Sequence, residues 1–454
     1  MHRWSLFVLL LATSVGQADQ GEYRNQPVEV VFDQPGQRVW LLERDFELDD
    51  LWTDRARLYV NPLDLEELRG AGLRVIELEE PHPTAFDPVL AGDLVRFPYV
   101  QPKYHDYPEL KAALESLAEA HPAMTILSSL GKTEEGRDML ALRLGRPSSE
   151  PRPEVLLIGG LHGNEVVGNE LLLGLARYLL ATYATEARSR KVLDQLSIVI
   201  VPSANPDGTA RRWRSNGKGI DLNRDFLDPR RTRPREAFRA LESRNIARLA
   251  EKRRFLLSAV FHGGEIVVNY PWDHRPNTTS LRPEDAEVLR RLSLRYAGRN
   301  EDMAHNPRFP GGVTSGYEWY QIRGGLQDYF YGWYGSLNLT IEVSRTKWPV
   351  PAELPRHWEL NCEALLDFLE QARVGVALQV LGAEGTPLEA TVRLPGTRSP
   401  LQTAPHDGAY FRLLPGGWHH ATIEAPGYRT TLVPLFSTSH PGHILQIVSP
   451  KPVE

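Results

Sequence analysis

Two side chains able to hold a metal, His162 and Glu165, stand three residues apart in "VLLIGGLHGNEVVGNELLLG", Val155 to Gly174. At the start of a helix, a spacing of three lets two side chains lie on one face. An imidazole nitrogen and a carboxylate oxygen are a donor pair that zinc accepts, but two donors do not make a site. Taken alone the pair also reads as surface or capping polarity. A third donor is available in "LLSAVFHGG", where His262 ends another apolar run and is again followed by two glycines. Two histidines and one glutamate form the open set of a catalytic zinc site, with a fourth position left for water.

Hydrolysis at such a centre needs a carboxylate that takes a proton and passes it to the leaving group. "NLTIEVS", Asn338 to Ser344, alternates apolar and polar residues, so Glu342 falls on the polar face of a strand. An isolated glutamate there sits either at an exposed edge or inside a functional cleft. "RWRSNGKGIDLNRDF", Arg212 to Phe226, carries Arg214, Asp221, Asn223 and Arg224 in a loop rich in Gly and Asn. An arginine fork binds a carboxylate through two parallel hydrogen bonds. A separate arginine can face an oxyanion growing on a polarised carbonyl. Any one of these arginines, considered singly, also reads as an exposed loop residue.

These side chains need a scaffold that brings distant segments together. Helical patterns ("LKAALESLAEA", "NELLLGLARYLLATY") alternate with continuous apolar strands ("VLLIGG", "LSIVIVP") between residues 97 and 373. That alternation predicts an α/β fold, a mixed and mostly parallel sheet with helices on both faces. Sites in such sheets form at the carboxyl ends of strands, where His162 and His262 stand. Residues 26–95 predict a small α+β unit: a strand-like run, Asn-Pro, a short helix and another strand, with a "GAG" turn. "PHPTAFDP", Pro81 to Pro88, reads as linker. From residue 374 to 454, short strands between Gly/Pro turns predict an all-β sandwich.

The 454 residues allow two to four domains. A net charge of -6 leaves no overall footprint for nucleic acid, and the basic run Pro229–Arg235 reads as a solvated loop. Residues 1–18 predict a secretory signal: His2 and Arg3, an apolar stretch from Leu6 to Ala12, and small residues before a cleavage point after Ala18. That stretch is too short for a stable membrane anchor, so the expected location is secreted or periplasmic. Cys362 is the only cysteine, which rules out an intrachain disulfide.

With these residues in place the chain resembles the zinc metallocarboxypeptidases, and within them the carboxypeptidase N/E, or carboxypeptidase D-like, branch. "GGLHGNEVVGNELLL", "NPDG", "DLNRDF", "FHGGEIVVNYPWD", "GGLQDYFY" and "LTIEVS" follow in the family's order. "DGAYFRLLPGGWHHATIEAPGYRTTLVPL" is similar to the transthyretin-like domain of that branch, and the first block looks like a prodomain. The resemblance implies one Zn2+ held by His162, Glu165 and His262, with Asp221 orienting His162. It implies Glu342 as general base and then acid, and Arg214 polarising the scissile carbonyl. Asn223 and Arg224 would hold the C-terminal carboxylate of a peptide or protein, and Tyr331 would close over the substrate. Asp273, eleven residues past His262, would pair with a terminal Lys or Arg.

The expected activity is removal of a C-terminal residue from peptides. An alternative keeps the zinc hydrolase but changes the substrate to peptidoglycan stem peptides, and a third reading is a non-catalytic binding protein on the same fold. Glu265 in "HGGE" reads as a surface acid, and Cys362 as a small buried residue.

Overall fold

The computed structural model describes residues 25–44, 46–79, 99–228, 237–398, 400–437 and 445–453. The signal-like segment, the Pro81–Pro88 linker and the Pro229–Arg235 basic run lie outside them. The chain divides into two units, residues 1–78 and 79–454.

The first unit is a four-stranded antiparallel sheet of order β2-β3-β1-β4. Its strands are β1 (Gln26–Val31), β2 (Glu47–Leu51), β3 (Arg55–Val60) and β4 (Arg74–Glu77). The Asn-Pro signal does what its chemistry suggests. Asn61 caps the helix Pro62–Gly70 by accepting from Leu63 N and Asp64 N, and Asp64 accepts in return from Asn61 N. Val28, Val30, Leu41, Leu58 and Leu68 fill the core.

The second unit is built on an eight-stranded sheet. Its strands are β5 (Thr125–Lys132), β6 (Asp138–Leu144), β7 (Glu154–Ile158), β8 (Ser197–Val201), β9 (Phe255–His262), β10 (Ile266–Tyr270), β11 (Val313–Ser315) and β12 (Leu337–Val343). The order is β11-β10-β12-β9-β7-β8-β6-β5. Strands β12, β9, β7 and β8 run parallel, and β10, β6 and β5 pair antiparallel toward the edges. β7, β9 and β12 are buried along their whole length. β7 and β9 accordingly read as near-continuous apolar runs, while β12 alternates apolar and polar residues. Alternate residues face opposite layers. Val155 and Leu157 join a core with the helices Tyr107–Ala120, Val167–Thr182, Pro283–Arg299 and Leu354–Gln371. Leu156 and Ile158 join a core with the helix Leu241–Lys252 on the other side.

Strands β13 (Val376–Val380), β14 (Thr391–Arg393), β15 (Leu401–Gln402), β16 (Ala409–Arg412), β17 (Gly417–Glu424), β18 (Thr431–Ser437) and β19 (Leu445–Val448) follow. They form two sheets, β16-β13-β19 and β15-β14-β17-β18, around a core that includes Leu378, Val392, Ile423 and Leu435. This is the all-β sandwich expected after residue 374. No helix among the described residues is long and apolar enough to cross a membrane.

Candidate metal and substrate site

β7 ends at Ile158, and the chain turns through two glycines before reaching His162 and Glu165. The turn packs tightly: a Cβ on Gly163 would lie 2.1 Å from the Gly208 carbonyl carbon, so only glycine fits there. His262 is the last residue of β9, the neighbour of β7. Two adjacent parallel strands therefore deliver the three side chains to one end of the sheet.

The contacting atoms form a small triangle. His162 Nδ1 lies 3.0 Å from Glu165 Oε2, His262 Nδ1 lies 2.7 Å from that oxygen, and the two Nδ1 atoms are 3.1 Å apart. All three residues are buried. Zinc bonds of about 2.0–2.2 Å in tetrahedral directions set donors roughly 3.4 Å apart, slightly wider than this triangle. The protonation pattern also fits a cation. Asp221 Oδ1 sits 3.1 Å from His162 Nε2, where a carboxylate orients a metal-bound imidazole, and Nδ1 faces the triangle. Burial pushes the His262 imidazole down to about 4, which keeps it neutral. Burial alone would raise the Glu165 carboxyl, but His162 and Lys347 outweigh it and hold it well below the usual carboxylate range. Two imidazoles and one carboxylate are the donor chemistry a Zn2+ ion accepts.

Cations ring this cluster. Arg214 Nη1 is 3.2 Å from His162 Nδ1 and 3.4 Å from Glu165 Oε1, and Arg214 Nη2 is 3.1 Å from Asp221 Oδ2. Asp221 also accepts from Asn223 N at 2.7 Å, and Arg224 Nη1 lies 3.8 Å from its Oδ2. Burial works to raise the Asp221 carboxyl, yet Arg214, His162 and Arg224 keep it well below its ordinary value. The single loop Arg214–Arg224 thus joins the metal donors to the predicted carboxylate clamp.

Glu342 occupies the other flank. In the parallel pair β12/β9 it is registered opposite His262, so the two side chains share a face on strands about 4.8 Å apart. β12 is interior to the sheet and Glu342 is buried. Of the two readings left open for this glutamate, the exposed edge does not hold: Glu342 is buried on an interior strand.

Asp273 is buried beyond Gly325, whose hypothetical Cβ would meet Asp273 Oδ2 at 3.1 Å and Asn223 Oδ1 at 3.6 Å. Gly316 lies closer still: a Cβ there would reach within 1.7 Å of Asp273 Oδ1. Gln327 Nε2 donates to that oxygen at 2.8 Å. Burial and the neighbouring Asp328 push the Asp273 carboxyl well above its usual value, against the pull of Arg224.

Tyr331 does not join this group, and its expected closing role is corrected. Its side chain is fully buried, its ring centroid is 4.7 Å from that of Trp272, and its hydroxyl donates to Asp285 Oδ2 at 2.8 Å. A hydroxyl enclosed on every side cannot swing over a substrate. Glu265 is corrected as well: it is buried, with Arg308 Nη1 at 2.9 Å, rather than a surface acid. Sequence reading missed Lys347, whose Nζ lies 2.5 Å from Glu165 Oε1. It stands five residues past Glu342 in "EVSRTKWP", where nothing distinguishes it from a solvated lysine. Gln327 was visible inside "GGLQD" but had no partner until the fold supplied Asp273.

A sequence model described as zinc carboxypeptidase matches residues 110–364, which include every donor above. The chain belongs to the zinc carboxypeptidase family. It is 34% identical to human carboxypeptidase D over 371 residues, covering 75% of this chain and 26% of that protein. It is 33% identical to mouse carboxypeptidase M over 369 residues, covering 73% of this chain and 80% of that protein. The match therefore spans about a quarter of the length of the carboxypeptidase D relatives and most of carboxypeptidase M. Among solved structures, carboxypeptidase A from Helicoverpa armigera superposes with a TM-score of 0.59 at 20% identity, over 77% of this chain and 98% of that one. That likeness shows the carboxypeptidase-like α/β fold.

Proposed function

We propose that this chain is a secreted zinc carboxypeptidase that removes a C-terminal Lys or Arg from peptides. The observation that carries the reading is the His162–Glu165–His262 triangle with Glu342 registered beside it. Bound at those donors, zinc supplies Lewis acidity toward the scissile carbonyl and a lowered pKa for water.

The chain's own groups do the rest. Glu342 takes the proton of the attacking water and hands it to the departing amine. Arg214, whose guanidinium already reaches the metal donors, faces the oxyanion. Asn223 and Arg224 hold the terminal carboxylate, a group an internal peptide bond does not offer, and so impose cleavage at the end of a chain. Asp273, braced by Gln327, receives the basic side chain. The closing hydroxyl must come from elsewhere than Tyr331. Tyr320 is half-buried on the segment whose Ile322 N donates to the Asp273 carbonyl, and it takes that role here. Residues 1–18 act as the export signal, the first unit as a prodomain, and the C-terminal sandwich as a transthyretin-like domain.

A panel of blocked dipeptides ending in Lys, Arg, Phe or Glu tests the reading. Lys and Arg ends are expected to give the highest kcat/KM, and Asp273→Asn to lower it for those ends by on the order of a hundredfold, while Phe ends change little. The pH dependence has a sign. The raised Asp273 carboxyl takes up a proton as pH falls, and the proton competes with the substrate's cation. KM for Lys ends should therefore rise toward acid pH in the parent and stay flat in Asp273→Asn. A parent that favours Phe ends contradicts the specificity, and a parent active only on peptidoglycan stem peptides contradicts the substrate class.

A further inference from the structure

We propose that the C-terminal β-sandwich positions the substrate pocket through a buried Arg412–Asp285–Tyr331 latch; the role in substrate choice rests on the functional reading above. Asp285, on the helix Pro283–Arg299, is fully buried, as is Tyr331, and Arg412 of β16 is 1% exposed. Arg412 Nη2 pairs with Asp285 Oδ1, and its Nη1 donates to the Gly335 carbonyl. Tyr331 donates to the second carboxylate oxygen at 2.8 Å, and Arg398 N donates to the same oxygen at 2.5 Å. Arg398 Nε reaches the Gly332 carbonyl at 2.8 Å. Two arginines from the sandwich thus grip the helical turn Phe330–Tyr334 at its middle, Gly332, and at the residue that closes it, Gly335.

That turn adjoins the pocket on one side and the general base on the other. Tyr331 comes three residues after Asp328, whose carboxylate accepts Asp273 N at 2.9 Å and His274 N at 3.1 Å, and four after Gln327, which donates to Asp273 Oδ1. Its ring packs on Trp272, the residue before Asp273. Beyond Gly335 the chain enters β12 and reaches Glu342. An apolar contact would have served stability equally well. A charged pair whose carboxylate also takes a tyrosine hydroxyl and a backbone amide instead selects one placement of the turn. Arg412, Asp285 and Tyr331 are positioning residues: they touch no substrate and act through Asp328, Gln327 and Trp272.

The test compares the full chain with Arg412→Met and Tyr331→Phe, the latter removing only a hydroxyl. Zinc content, melting temperature, kcat and KM on Lys- and Phe-ended dipeptides, and amide hydrogen exchange across residues 326–335 are measured together. The expected result is faster exchange across that segment and a rise of on the order of tenfold in KM for the Lys end, with zinc content kept and Phe-end values little changed. Arg412→Lys should recover part of the preference, because an ammonium still meets Asp285. If Arg412→Met does not fold, Tyr331→Phe decides. A lower melting temperature or faster exchange with the Lys/Phe ratio unchanged overturns the proposal, leaving the contacts a purely structural role. A parent without preference for basic ends overturns the specificity reading itself, an outcome seen on the parent alone.

Discussion

Glu342→Gln is expected to lower kcat on a Lys-ended dipeptide by on the order of 10²–10⁴, with zinc content and fold unchanged. The substitution keeps the volume and the hydrogen-bonding capacity of the side chain but removes its basicity. β12 is interior, and its pairing with β9 and β10 does not depend on the charge at this position. KM should move little, because the carboxylate acts on the attacking water and the leaving amine rather than on the bound ends of the substrate. Steady-state kinetics with metal analysis of the same preparation read both quantities. A variant of full activity would remove Glu342 from the mechanism, and one that has lost its zinc would make it a structural residue.

Arg224→Ala is the second large effect. A guanidinium that meets a terminal carboxylate in a partly enclosed site contributes roughly 2–5 kcal/mol, so kcat/KM on free-acid dipeptides should fall by about 30- to 4,000-fold. The control is a dipeptide ending in a carboxamide. The parent should cleave it poorly, since it offers no anion, and Arg224→Ala should lose little further on it. A loss equal on both substrates would show that Arg224 acts by supporting Asp221, which it approaches at 3.8 Å, rather than by holding the carboxylate.

How far the sequence could carry these assignments depends on the kind of signal each residue leaves. The apolar runs of β7 and β9 are legible because strands buried on both faces are largely apolar, so a histidine at or just past their ends stands out. Glu342, by contrast, is legible only as the polar phase of an alternating strand. Pairing is less legible: Glu342 opposite His262 is a fact of register, and no local pattern states which strands are neighbours. Tyr331 failed for a related reason. Its distance from Glu342 along the chain is that of a residue leading into the same strand, but the turn Phe330–Tyr334 directs its ring into the core. Its partners, Asp285 and Arg412, lie 46 residues before and 81 residues after it, and each alone reads as an ordinary surface charge. Lys347 and Glu265 were illegible in the same way, since charge invites a surface assignment until burial and a partner are seen.

Everything here depends on His162, Glu165 and His262 holding one divalent ion, and metal analysis of the purified chain measures that directly. One zinc per chain is predicted for the parent, falling to near zero in His262→Ala while circular dichroism stays that of the folded protein. A parent that binds no zinc when loaded with excess metal, or a His262→Ala variant that retains it fully, would contradict the account.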